Sequence, residues 1–159
     1  QIWFLTQRYE QHLEIIDTPG SVIEDRSMYE DYEIFVKGLF EEGILSHRDF
    51  RTYRRLYTTL VQRIQPPTLV IYLQASVETL QKRITQRARA SEMNIPEAYL
   101  RRLNERYDEW MRSFERCPVL HVPTDNLDFA HTLSGRKEIV DMTIRALGIR
   151  SITQERLLT

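Results

Sequence analysis

Arg83, Arg87 and Arg89 put three guanidinium groups within seven residues, and Glu92 follows shortly after them. A guanidinium offers two parallel charge-assisted hydrogen bonds to a phosphate, so several together could hold one polyphosphate and neutralise a transferring phosphoryl group. The competing reading is a solvated helix face, the ordinary fate of a charge run, and spacing alone does not separate the two. Arg101, Arg102 and Arg106 are left to that second reading. A second set lies in Val22-Ile23-Glu24-Asp25-Arg26-Ser27, where β-branched apolar residues run straight into an acid, a base and a hydroxyl with no turn residue between. A surface ion pair would account for Asp25 and Arg26 as simply as a site would. The third set is Gln1 with Arg8, and Asp31 with Phe35. A side-chain amide carries a donor and an acceptor together, which matches a nucleobase edge, and a phenyl ring offers a stacking face. Phe35 also reads as core, and Asp31 as a first-turn acid favoured by the helix dipole.

Composition narrows the partners. The chain has 159 residues, Lys+Arg 22 against Asp+Glu 23, and a formal net charge of -1. There is no global basic field of the kind that draws a protein onto nucleic acid or anionic membrane, so an anion site must be local. Cys117 is the single cysteine, which excludes an internal disulfide or a cysteine metal cluster and fits a reducing compartment. His12, His47, His121 and His131 have no metal-ligand spacing. No apolar run approaches the roughly eighteen residues of a membrane span, and no charged-then-apolar leader opens the chain. We expect a soluble cytoplasmic protein with neither nucleic-acid nor membrane partners.

The elements that must position these residues can be read from periodicity. Ser21 to Glu24, Leu69 to Leu73 and Val119 to Val122 have the length and branching of buried strands. A helix precedes the Asp17-Thr18-Pro19-Gly20 turn. Another follows Ser27 and closes at Gly43. Ser46, with Asp49 as its capping-box acid, opens a helix whose stripe includes Phe50, Tyr53, Tyr57, Leu60, Val61 and Ile64. Ser76 caps the next, Pro96 opens another, and a last one covers about Lys137 to Leu147. Continuous apolar strands alternating with helices predict an α/β fold, a parallel sheet with helices on both faces. In such sheets ligands sit beyond the carboxyl ends of the strands, where Glu24 to Ser27 and the Thr124–Phe129 loop would lie.

Taken in order, Gln1 and Arg8, Asp25-Arg26-Ser27, Tyr29, Asp31 and Phe35, Ile71-Tyr72-Leu73, Arg83, Arg87 and Arg89, Glu92, Tyr99-Leu100 and Trp110 resemble the deoxynucleoside kinases. Met28-Tyr29-Glu30-Asp31, and Asp rather than Glu before Arg26, are most similar to the bacterial deoxyadenosine/deoxyguanosine kinases. The likeness runs from Gln1 to Phe129. It implies a P-loop kinase-like α/β fold and transfer of the γ-phosphoryl of ATP to the 5′-hydroxyl of a deoxynucleoside, a purine one, in nucleotide salvage. It implies Gln1 at the base edge, Phe35 stacked on the base, and Arg8 with Asp31 as a charged pair at the base's far side. Glu92 would take the sugar 3′-hydroxyl, Asp25 would hold Mg2+, and Arg26 would sit beside the 5′-hydroxyl. Arg83, Arg87 and Arg89 would cover the donor phosphates, and Asp128 and Phe129 would contact the donor adenine. A homodimer through the helices between Glu30 and Ile64 is implied as well.

The chain departs from this pattern in places. Gly20, Gly38, Gly43, Gly135 and Gly148 form no G-x-x-x-x-G-K-[ST] loop. Ala88 stands where the resemblance implies Gly. We therefore expect residues 1–150 to be an N-terminally truncated kinase domain that lacks its first strands, with a tail at 151–159, and expect the 159 residues alone to be inactive. Two other readings compete: a nucleoside monophosphate kinase similar to thymidylate kinase, against which Glu92 argues, and an inactive nucleotide-binding module.

Overall fold

The structure, a computed structural model, describes residues 1–92 and 94–149. The expected tail at 151–159 lies outside the described residues. The chain forms two compact units, Gln1–Gln65 and a second from Pro66 onward, and each is described by itself.

The first unit is helical. Helix α1, Ile2–Asp17, stops where Pro19 forces Thr18 into an extended backbone (φ -82, ψ 120) and Gly20 takes a positive φ of 98. Leu5 is its fully buried residue. A second helical run begins at Met28 and has three parts, α2 (Met28–Glu30), a π-helical segment (Asp31–Val36) and α3 (Lys37–Glu41). This is the helix expected after Ser27, but its middle is wound wider, a distortion that recurs at functional sites. Helix α4, His47–Val61, opens as the sequence predicts, with the Asp49 amide donating to Ser46 Oγ at 3.1 Å. Its stripe of Tyr53, Tyr57 and Val61 is buried. Tyr32 stacks on Tyr57 at 4.3 Å and on Tyr53 at 6.3 Å, so a tyrosine stack lies among the aliphatic core residues of this unit. His12 Nε2 accepts the Gln65 amide at 3.2 Å, tying α1 to the end of the unit.

The strand expected over Ser21–Glu24 is not formed. These residues carry no regular structure, and Val22 and Ile23 are 42% and 95% exposed. Branched apolar residues give a segment the capacity to be a strand, but a ladder needs a neighbour. Among the described residues the sheet has two strands only, and this segment is neither of them.

The second unit carries β1 (Val70–Gln74), α5 (Val77–Arg87), α6 (Glu97–Ser113), β2 (Val119–Pro123) and α7 (Leu133–Ala146). Strands β1 and β2 pair in parallel, with Val70 opposite Val119 and Gln74 opposite Pro123. The α/β class expected from the sequence holds: a helix-rich chain built on a parallel sheet. Ser76 Oγ caps α5 by accepting the Thr79 amide at 3.2 Å. Asp108 of α6 accepts from Tyr72 Oη at 2.7 Å and from Gln74 Nε2 at 2.8 Å, fixing α6 to β1. Helix α7 begins before Lys137 because Thr132 caps it, its Oγ1 accepting the Gly135 amide at 3.1 Å.

Candidate functional site

In the first unit, α1 supplies Arg8 and the π-helical segment supplies Asp31 and Phe35. Arg8 Nε lies 3.9 Å from Asp31 Oδ2, while Arg8 Nη1 donates to Gln11 Oε1 at 3.0 Å and to the Asp25 carbonyl at 3.3 Å. Asp31 is 6% exposed, and its Oδ2 has no hydrogen-bond partner. The pair is thus one of charge proximity rather than a hydrogen bond. Burial pushes the Asp31 carboxyl above its usual range, and Arg8 and then Arg26 pull it part of the way back.

Arg26 turns the chain in the left-handed region at φ 69, a rare conformation for a side chain of this size. Strain of this kind concentrates at functional positions. Its guanidinium lies 5.3 Å from the centre of the Phe35 ring, with Nε 3.8 Å from Glu30 Oε1. Asp25 is exposed, and Gln1 sits exposed at the N-cap of α1 without a side-chain cap bond.

Two further residues join this group without having been singled out by the sequence. Glu24 is half-buried, and burial raises its pKa, opposed by Arg8 and reinforced by Asp31 and Glu30. The run of acids in Glu24-Asp25 was its one visible signal. Tyr53 is buried with an unpartnered phenol oxygen, and burial together with the Asp31 charge pushes its pKa up. Nothing in the helical period distinguishes Tyr53 from an ordinary core tyrosine.

In the second unit, Arg87 donates from Nε at 2.9 Å and also from Nη2 to Glu92 Oε2, and Arg89 Nη1 lies 3.6 Å from Glu92 Oε1. One carboxylate therefore engages both arginines. Ala88 between them holds φ 51 and ψ 35 at the C-cap of α5, a left-handed position that suits glycine.

Arg83 is placed differently. It donates to Thr124 Oγ1 at 2.9 Å and to the carbonyls of Thr124 and Leu127, and it lies 5.7 Å from the centre of the Phe129 ring. Its donors shape the loop after β2 rather than joining those of Arg87 and Arg89. Thr124, fully buried, is the residue missed here: its amide and Oγ1 both donate to the Gln74 carbonyl at 2.8 Å. Asp128 Oδ1 accepts from the His131 amide at 3.0 Å and contacts His131 Nδ1 at 2.9 Å, and these contacts hold its carboxyl below the usual range. Asp128 is exposed and Phe129 half-buried.

Among the described residues, no three His, Cys, Asp or Glu side chains are grouped as a metal cage. A lone exposed carboxylate such as Asp25 nevertheless suits Mg2+, which keeps several waters and is held through one or two carboxylates plus substrate phosphates.

Comparison with known proteins bears on both units. The deoxynucleoside kinase family profile matches residues 1–147. The chain is 33% identical over 143 residues to a deoxyadenosine/deoxycytidine kinase of Bacillus subtilis, covering 89% of the chain and 66% of that relative. It is 35% identical over 123 residues to a deoxyadenosine kinase of Dictyostelium discoideum, covering 77% of the chain and 50% of that relative. The chain thus spans between half and two thirds of the length of these curated relatives. Among solved structures, a deoxyadenosine kinase from M. mycoides with bound dATP superposes with a TM-score of 0.73 at 27% identity, covering 91% of this chain and 72% of that one. With the family profile spanning nearly all of the described residues, the chain belongs to the deoxynucleoside kinase family.

Proposed function

We propose that the protein containing this chain transfers the γ-phosphoryl group of ATP to the 5′-hydroxyl of a deoxynucleoside, with a purine deoxynucleoside as the preferred acceptor. The observation that carries this reading is the buried Asp31 facing Arg8 across 3.9 Å, on the same π-helical segment as Phe35. A carboxylate with an open acceptor oxygen, a guanidinium and a ring face together suit a flat heterocycle bearing donors and acceptors on its edge.

Phosphoryl transfer depends on positioning and on electrostatic stabilisation more than on covalent help. In this reading Gln1, Arg8 and Asp31 orient the base and Phe35 stacks on it. Glu92 takes the sugar 3′-hydroxyl and Arg26 stands beside the reacting 5′-oxygen. Arg87 and Arg89 neutralise donor phosphate charge, Arg83 braces the loop, and Asp128 and Phe129 meet the donor base. Bound at Asp25, Mg2+ would supply positive charge to the phosphates. We further propose a cytoplasmic homodimer: the lone Cys117 fits a reducing compartment, and the dimer follows from the family resemblance alone, since the stripe of α4 is buried in its own unit.

The test is to assay the full-length protein with ATP, Mg2+ and each deoxynucleoside and deoxynucleoside monophosphate. Turnover of deoxyadenosine or deoxyguanosine is expected. Turnover of monophosphates alone would overturn the reading. The 159-residue chain by itself, whose sequence holds no G-x-x-x-x-G-K-[ST] loop, is expected to be inactive in the same assay.

A further inference from the structure

Arg87 and Arg89 already hold an anion, and that anion belongs to the chain. Both Nε and Nη2 of Arg87 point at Glu92 Oε2, and Arg89 Nη1 lies 3.6 Å from Oε1. The guanidinium fork is planar and rigid, so donors given to a carboxylate in this way cannot serve a phosphate at the same time. The clasp is local: Arg87 ends α5, Ala88 reverses the chain at φ 51, and the Glu92 amide donates to the Arg89 carbonyl at 2.9 Å. Arg83 takes no part, because its donors go to Thr124 and Leu127. The clasp is also exchangeable. The side chains of Arg87 and Arg89 are 51% and 64% exposed, and ion pairs open to solvent are weak.

We propose that Glu92 is an internal stand-in for phosphate: it occupies Arg87 and Arg89 until a polyphosphate donor displaces it, and the displacement frees its carboxylate for the acceptor's sugar hydroxyl. The inference rests on the reading of Arg87 and Arg89 given under Proposed function and adds a link between the two substrates. A single carboxylate cannot bind the arginines and the sugar together. An acceptor that captures Glu92 therefore raises donor affinity, and by linkage the donor raises acceptor affinity by the same factor.

The experiment measures ATP affinity by calorimetry in the full-length protein without any deoxynucleoside, comparing the natural chain with Glu92→Gln and Arg87→Ala. Glu92→Gln keeps the shape of the side chain and removes its charge. It is expected to bind ATP roughly two- to fivefold more tightly, the range set by one solvent-exposed pair. That gain should shrink as salt rises. Cooperativity between deoxynucleoside and ATP is expected in the natural protein and should vanish in Glu92→Gln, and its absence from the natural protein would overturn the proposal. If Glu92→Gln binds ATP no better while Arg87→Ala binds it less well, the arginines are phosphate ligands but Glu92 is not their competitor, and the inference alone fails. If Arg87→Ala leaves ATP affinity unchanged, the functional reading of the arginines fails and takes the inference with it.

Discussion

Ala88 shows how a single residue type acquires meaning from backbone geometry. Its left-handed conformation (φ 51, ψ 35) costs an L-residue about 1 kcal/mol or more, which glycine avoids. Glycine also loses more freedom on folding, by about 0.4–1 kcal/mol. The two terms nearly cancel, so Ala88→Gly should leave stability within about 0.5 kcal/mol of the natural chain or raise it slightly. Lys82→Gly, in the exposed interior of α5, should instead cost about 1 kcal/mol. Denaturant unfolding of the two variants side by side checks the contrast, and an equal loss in both would refute the conformational argument.

Arg8 makes the complementary case at the level of charge. Burial raises the pKa of Asp31 and Arg8 opposes the rise, so Arg8→Met should raise it further. An acid whose folded pKa is raised favours the fold at low pH and loses that contribution as pH climbs through the folded value. The variant should therefore be destabilised by about 2 kcal/mol at pH 8 and by much less at pH 4. A pH-independent loss would mean that packing rather than charge is what Arg8 supplies. The pairing of Arg8 with Asp31 was legible only through the resemblance to the deoxynucleoside kinases, because spacing alone left Asp31 as a first-turn acid and Phe35 as core. Tyr53 was not, because which core tyrosine meets a buried carboxylate depends on how α4 lies against the π-helical segment.

At the scale of elements, capping was the most readable feature. Ser46 and Ser76 cap the helices they were expected to cap. The start of α7 was not so plain, because Gly135 in its first turn masks a helix that Thr132 initiates. The reason for that glycine is tertiary. A Cβ there would sit 2.5 Å from the Asp128 carbonyl oxygen and 2.9 Å from the Phe129 amide nitrogen, both backbone atoms that cannot swing aside. Gly135→Ala should thus cost about 1–3 kcal/mol, the usual penalty of overpacking, and displace the loop that carries Asp128 and Phe129. In the full-length enzyme this predicts a raised KM for ATP with the KM for the deoxynucleoside unchanged. A shift of both, or of the acceptor alone, would separate this loop from the donor. Ser21–Glu24 marks the opposite limit of legibility, since apolar branching is a property of the segment while strand pairing is a property of its neighbours.

At the scale of the whole chain, the two units differ in kind. The first is built from helices and short connections. The second rests on a parallel pair whose partners, Val70 and Val119, stand about fifty residues apart along the chain. That register has a kinetic consequence. Local helical contacts form early, whereas closing a long loop to align two parallel strands is entropically slow. The two tryptophans fall one in each unit, Trp3 in the first and Trp110 in the second, and can report on them separately. Stopped-flow refolding of Trp110→Phe, which leaves Trp3 as the emitter, should therefore show a faster main phase than Trp3→Phe, which leaves Trp110. Identical rates would mean that both units wait on the same event, and the β1–β2 pairing would then be the step that times the whole molecule.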